Sequence, residues 1–221
     1  MLFDPPHDFT GLTRDGFDVF SIEQRDARRR AIIDTFHPAL EALGVDLTAR
    51  LAPFVKHPVH AHLPRLDWPR TYEPFATWLA LSHKVQGYQD GPQLNVGVHV
   101  DHVAIRLGWD ASAAGFGRFE FLCRHAGLGQ ALSEVAVEQG LLFRVYAAAA
   151  WPEGSRCVSE TRGPVAPTFD EVRRRGVWWE LGRRLELVDA IDVVASPELG
   201  SCTGQIFERL LPLYERIVGE A

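Results

Sequence analysis

The sequence is poor in lysine, methionine and cysteine. Lys56 and Lys84 stand against 21 arginines, there is one methionine, and the three cysteines are widely spaced. An odd cysteine count with no C-x-x-C pair excludes a small disulfide-stapled scaffold and fits reduced thiols. Cys123 on an apolar helical face and Cys202 near a helix start have no base beside them in sequence, so both read as packing residues. Long hydrophobic runs are also missing. The most apolar stretch, 141–151, is broken by Arg144 and is too short to span a bilayer. The first residues, with Asp4, Pro5 and Pro6, show no basic-then-apolar leader. These absences together give the expectation of a cytoplasmic protein. Catalytic signatures are absent as well: there is no G-x-x-x-x-G-K-[ST] loop, G-x-G-x-x-G turn, G-x-S-x-G elbow or H-E-x-x-H helix. A net charge of -6 argues against bulk affinity for nucleic acid or an anionic membrane surface.

What is present is an ordinary globular composition. Of 221 residues, 46% are hydrophobic and 24% charged, enough for a sizeable core. No linker or composition shift divides the chain, so residues 1–221 read as one domain. Arginine replaces lysine almost throughout and there are nine histidines. The arginine excess has two readings, genomic base composition and recognition of planar anions.

Periodicity predicts a short strand over 16–22. A helix over 22–51 follows, with Ile32, Ile33, Phe36, Leu40, Leu43, Leu47 and Leu51 on one face and a kink or split at Pro38. Strands are expected at 59–63, 77–82, 94–99 and 103–107, with Gly87, Asp90-Gly91 and Pro92 as turn signals between the second and third. A helical segment over 116–139, interrupted near Gly127 and Gly129, precedes a central strand at 141–149. The stretch 152–167 reads as a polar loop, 170–175 as a short basic helix, and 177–181 and 185–188 as two strands. Ser196-Pro197-Glu198 starts a closing helix that runs to about residue 219. Strands clustered between long helices without β-α-β alternation predict an α+β fold with a mostly antiparallel sheet. A loose helix–strands–helix echo between the halves raises the expectation of a weak internal duplication.

The informative region is 57–110. If 94–99 and 103–107 form a hairpin through Val100-Asp101, Asn95 faces Arg106, Gly97 faces Ala104, and His99 faces His102. Leu94, Val96, Val98, Val103, Ile105 and Leu107 then share one apolar face. The other face carries Gln93, Asn95, Gly97, His99, His102, Ala104, Arg106 and Gly108, in which small residues alternate with hydrogen-bonding ones. An exposed sheet face is the plain explanation, although such faces more often carry Thr, Lys and Glu. His60 and His62, two apart on a strand, are placed to join His99 and His102 if their strands neighbour each other. Trp68, Trp78, Tyr88 and Trp109, with Arg65, Arg70 and Arg106, border the region. Trp78 within Thr-Trp-Leu-Ala-Leu reads first as a core aromatic.

The motifs Phe17-x-x-Phe20, Asp26-x-Arg28 and Pro38 to Gly44 lead the chain, and His60-Ala-His62, Thr77-Trp78-x-Ala80, Gly87-Tyr88 and Pro92 to Gly97 follow, with Leu210 to Tyr214 near its end. In this order the chain resembles the YktB-like family of uncharacterised bacterial proteins. The resemblance implies an α+β fold and a cytoplasmic setting and brings no catalytic residue with it. Three functions stay open. The first is a non-catalytic protein binding a small polar or anionic ligand through Gln93, Asn95, His99, His102 and Arg106, bordered by His60, His62 and Trp78. The second is a metal-dependent hydrolase using the four histidines with Asp101. The third is a structural or partner-binding protein whose polar face another subunit covers.

Overall fold

A computed structural model describes residues 9–65, 75–113, 115–147 and 157–220. Their framework is a seven-stranded sheet in the order β1-β2-β3-β4-β7-β5-β6. The strands are β1 (His60–His62), β2 (Ala76–Ser82), β3 (Gln93–His99), β4 (His102–Asp110), β5 (Leu142–Ala147), β6 (Cys157–Thr161) and β7 (Gly176–Glu186). Every pairing is antiparallel. With α1 (Arg25–Leu51), α2 (Phe116–His125), α3 (Leu128–Gln139), α4 (Ala166–Arg175), α5 (Leu187–Val194) and α6 (Glu198–Glu220), this is an α+β fold on a single sheet. No helix among the described residues is long and apolar enough to cross a membrane. The first four strands form a meander, whereas β7 enters between β4 and β5, so the halves of the sheet differ in strand number and order.

One face of the sheet is the core. Leu94, Val96 and Val98 of β3 and Val103, Ile105 and Leu107 of β4 lie in one buried cluster with Ile32, Phe36, Leu40, Leu43, Leu47 and Leu51 of α1. The period of α1 places those side chains on a single stripe, and α6 adds Phe207, Leu210 and Tyr214 to the same layer. Tyr214 also ties α6 to the sheet, since its hydroxyl accepts the His83 backbone N–H at 2.8 Å. Burial pushes that phenol up to about 12. Trp109 belongs to this layer too, against Phe116 and Phe119, so it does not border the polar face.

Several sequence expectations need correction. Residues 14–21 form a 3-10 turn rather than a strand; Phe17 and Phe20 both meet Phe36 from it, which a strand's alternation would prevent. Pro38 does not split α1, which is a single helix from residue 25 to 51. The expected loop 152–167 contains β6 in its described part, and α4 begins earlier than the basic run implied. The two strands expected at 177–181 and 185–188 are one, β7, and residues 187–194 are helical. Strand β5 lies next to the edge strand rather than at the centre: Phe143 and Val145 enter the core, whereas Arg144 and Tyr146 face the other way. Trp68 and Arg70 lie outside the described residues.

Continuity of β7 depends on Gly182, opposite Arg106. A Cβ there would stand 2.4 Å from the Ile105 carbonyl oxygen and 2.6 Å from the Arg106 Cβ. Backbone on the neighbouring strand has little room to yield. Gly182→Ala is therefore expected to cost about 2 kcal/mol in urea denaturation, as overpacked sites do; an unchanged midpoint would contradict this close approach.

Candidate functional site

The hairpin register read from alternation is the one observed: Asn95 pairs with Arg106, Gly97 with Ala104 and Gln93 with Gly108. Strand β2 adds Trp78 and Ala80 beside Gly97 and Asn95, and β7 adds Glu180 and Arg184 beside Gly108 and Ala104. The apolar face is closed by helices, and the residues opposite are buried as well. Gln93 and Asn95 are 2% exposed, Arg106 is 3% and Glu180 is 0%.

Glu180 organises this polar layer. Its Oε2 accepts from Arg106 Nη1 at 2.7 Å and Trp178 Nε1 at 3.1 Å, and its Oε1 accepts from the Tyr146 hydroxyl at 2.8 Å. Arg144 stands 3.7 Å from the same carboxylate and donates to Glu160 at 2.6 Å. Arg184 in turn donates to the Tyr146 hydroxyl. Burial alone would raise the Glu180 pKa, but Arg106, Arg144, the Tyr146 hydroxyl and Arg184 outweigh it and hold the carboxyl below its usual range. From Arg106 the chain of bonds continues outward. Its Nε donates to Asn95 Oδ1 at 3.1 Å, and Asn95 Nδ2 donates to Gln93 Oε1 at 3.1 Å.

The small residues of this face leave room that the protein itself partly fills. A Cβ on Gly108 would lie 2.3 Å from the Trp178 ring, and one on Gly97 would lie 2.9 Å from Arg106 Nη2. The Trp178 ring thus lies over β4 at Gly108, with the Arg106 guanidinium 5.5 Å from its ring centre. A pocket of about 320 Å³ remains. Gln93, Asn95 and Arg106 line it from the central hairpin, Trp178 and Asp110 from one side, and Trp78 from the other. The 3-10 turn Tyr88–Asp90, started by Gly87 at φ 67°, brings Tyr88 over the opening, where its hydroxyl accepts from Trp78 Nε1 at 3.1 Å. Trp78 is therefore a wall of the polar pocket, not a core aromatic.

The four histidines do not form one cluster. His62 pairs across Ala80 toward Asn95, four residues along β3 from His99, a separation of about 13 Å along the strand alone. His62 instead stacks on Tyr88 at 4.8 Å and hydrogen-bonds the Lys84 carbonyl at 2.8 Å, lining a neighbouring hollow with Arg65. His60 sits on the edge strand, two strands from Asn95. At the far end of the hairpin, His99 and His102 stack at 4.3 Å, and His102 Nδ1 lies 2.6 Å from Asp101 Oδ1. Asp101, His102 and Glu186 bring one ligand atom each within 4.8 Å of one another, with both carboxylates exposed. Periodicity gave which face each histidine occupies, but strand order and direction decide which end, and those depend on long-range pairing. Glu180, Tyr146, Arg144, Arg184 and Trp178 were not read as members of this face. For Trp178, Glu180 and Arg184 the signal was their alternation with Gly182 in β7, hidden by reading that strand as two; for Arg144 and Tyr146 it was their alternation with Phe143 and Val145 in β5.

Residues 12–113 match the sequence profile of a domain of unknown function (DUF1054). Similar curated proteins are a UPF0637 protein of Macrococcus caseolyticus, 31% identical over 97 residues (44% of this chain, 48% of the relative), and one of Exiguobacterium sibiricum, 28% identical over 100 residues (45% and 50%). A third, from Oceanobacillus iheyensis, is 31% identical over 97 residues (44% and 47%). The chain spans about half the length of the curated relatives it matches. These matches bear out the resemblance to an uncharacterised bacterial family, the profile match over residues 12–113. That span holds β1 to β4, with Trp78, Gln93, Asn95, Arg106 and Asp110; Glu180 and Trp178 lie beyond it.

Two outcomes follow from the geometry. Glu180→Gln keeps the shape but leaves Arg106 without its buried counter-charge, and is expected to destabilise by about 3 kcal/mol in chemical denaturation; a loss within error would show the pair to be idle. For His99, burial first, then His102, Arg106 and Arg184, holds the imidazole well below its ordinary 6.5. Burial likewise lowers His102, against the opposing pull of Asp101. The unfolded chain therefore takes up protons first as pH falls, so stability is full above about 6.5 and declines below it. His99→Gln is expected to flatten the melting-temperature profile between pH 6.5 and 5, and an unaltered profile would contradict the assignment.

Proposed function

We propose that the protein binds a small polar molecule in the pocket above the β3–β4 hairpin and does not itself transform it. The observation that carries this reading is the pocket's make-up: aromatic walls around a floor of hydrogen-bonding groups already held in place. Such convergence of apolar surface with a few fixed polar groups is the usual form of a small-molecule site, and about 320 Å³ lies at the lower end of their range. Ordering the floor costs nothing on binding, because Gln93, Asn95 and Arg106 are already bonded to one another and to Glu180. Among the described lining residues there is no serine, cysteine or histidine, and the charged groups are Arg106 and Asp110. That inventory holds no paired nucleophile and base of the serine–histidine or cysteine–histidine kind, which favours recognition over covalent chemistry.

A fragment screen by thermal shift is the test. A specific ligand at about a hundred times its Kd stabilises by about 2.7 kcal/mol through mass action. Hits are expected to lose at least half of their shift in both Trp78→Leu and Gln93→Leu. A library that yields no hit, or hits indifferent to both substitutions, would overturn the reading.

A further inference from the structure

We infer that the ligand is a planar heterocycle bearing a lactam edge, a carbonyl oxygen beside a ring N–H. This rests on the binding reading above and adds the chemical class.

The polarity of the floor carries the argument. Glu180 is an acceptor held below its usual pKa range, so Arg106 Nη1 must donate to it. Arg106 has no acceptor, so its Nε can only donate, and the Asn95 group it meets is therefore the amide oxygen. That turns the Asn95 NH₂ toward Gln93, whose oxygen receives it. Gln93 is left presenting its own NH₂. Among the described residues neither Gln93 Nε2 nor Arg106 Nη2 has a hydrogen-bond partner. Gln93 Nε2 thus stands as a donor on the pocket lining, where it calls for a ligand acceptor, whereas Arg106 Nη2 lies over Gly97.

The rim has the opposite sign. Asp110 Oδ1 accepts from the Ser112 N–H at 2.8 Å and the Ser112 hydroxyl at 2.6 Å. Its Oδ2 accepts nothing among the described residues and calls for a ligand N–H. Charge balance then narrows the class. Arg106 is the cation among the described lining residues and Glu180 already pairs with it, while Asp110 adds a negative charge. A carboxylate or phosphate ligand would meet no uncompensated cation there, which favours a neutral molecule. Trp178, Trp78 and Tyr88 supply aromatic surfaces against which a flat ring buries its faces. An acceptor and an N–H on one edge of a flat neutral ring are what a lactam offers, as in oxopurines and pyrimidinediones. The amino-azine edge of adenine offers a similar pair but with a single lone pair on its ring nitrogen, so adenosine is the probe that separates the two.

The experiment is calorimetric titration of the full chain with guanosine and uridine, which carry a lactam, against adenosine, indole and benzoate, which do not. Guanosine or uridine is expected to bind saturably and at least tenfold more tightly than the other three. Gln93→Glu, which exchanges the outward NH₂ for oxygen, and Asp110→Asn, which alters the rim alone, are each expected to weaken that binding at least tenfold in a protein that still melts cooperatively. Adenosine, indole or benzoate binding as tightly would overturn the lactam class, as would binding that ignores both substitutions. Failure of all five probes would overturn it too. The pocket reading stands or falls separately, on whether the fragment screen gives hits sensitive to Trp78→Leu.

Discussion

The fold is built around a carboxylate with no access to water. Glu180, fully buried in the middle of the sheet, holds Arg106, Tyr146 and Trp178 by hydrogen bonds and Arg144 by charge. Burying one ion is costly, and several aligned donors are needed to offset it. The donors come from β4, β5 and β7, so the acid acts as a clamp across the strands that join the two halves of the sheet. The same constraint explains the glycines. Arg106 and Trp178 reach Glu180 only by lying close over the backbone at Gly97, Gly108 and Gly182, where a Cβ would collide.

The two faces of the sheet therefore solve different problems. One is a conventional apolar layer closed by α1 and α6, in which volume and periodicity decide the packing. The other is a polar layer equally removed from water, in which each group's orientation is settled by its neighbour's. Direction passes outward from Glu180 through Arg106 and Asn95 to Gln93. Recognition at the pocket is thus proposed to be a consequence of an ion pair on the far side of the hairpin.

Local pattern made part of this legible. Residues 93–108 alternate cleanly, so the β3–β4 pairing and the apolar face could be read without a structure, and α1 announced itself by its stripe of leucines and isoleucine. Gln93, Asn95, Arg106 and Trp78 were recoverable because they sit on or beside that hairpin. The rest needed distance information. Glu180 is 74 positions from Arg106, and nothing in local sequence says that β7 inserts beside β4. Reading 177–181 and 185–188 as separate strands masked the one that carries Glu180. The histidines failed for the complementary reason: alternation assigns a face, whereas the end of the strand depends on topology. On β1, His60 and His62 share the face but lie at the opposite end from His99 and His102.

The account's central claim is that Glu180 sets the orientation of Arg106 and, through it, of Asn95. A double-mutant cycle between Glu180→Gln and Asn95→Asp tests it most directly, because Asn95→Asp offers Arg106 a replacement carboxylate one bond further along. Dependence predicts that the second substitution recovers at least about 1 kcal/mol of the stability lost to the first, well outside simple additivity. Effects that add to within about 0.5 kcal/mol would show the two positions to be independent and would contradict the claim.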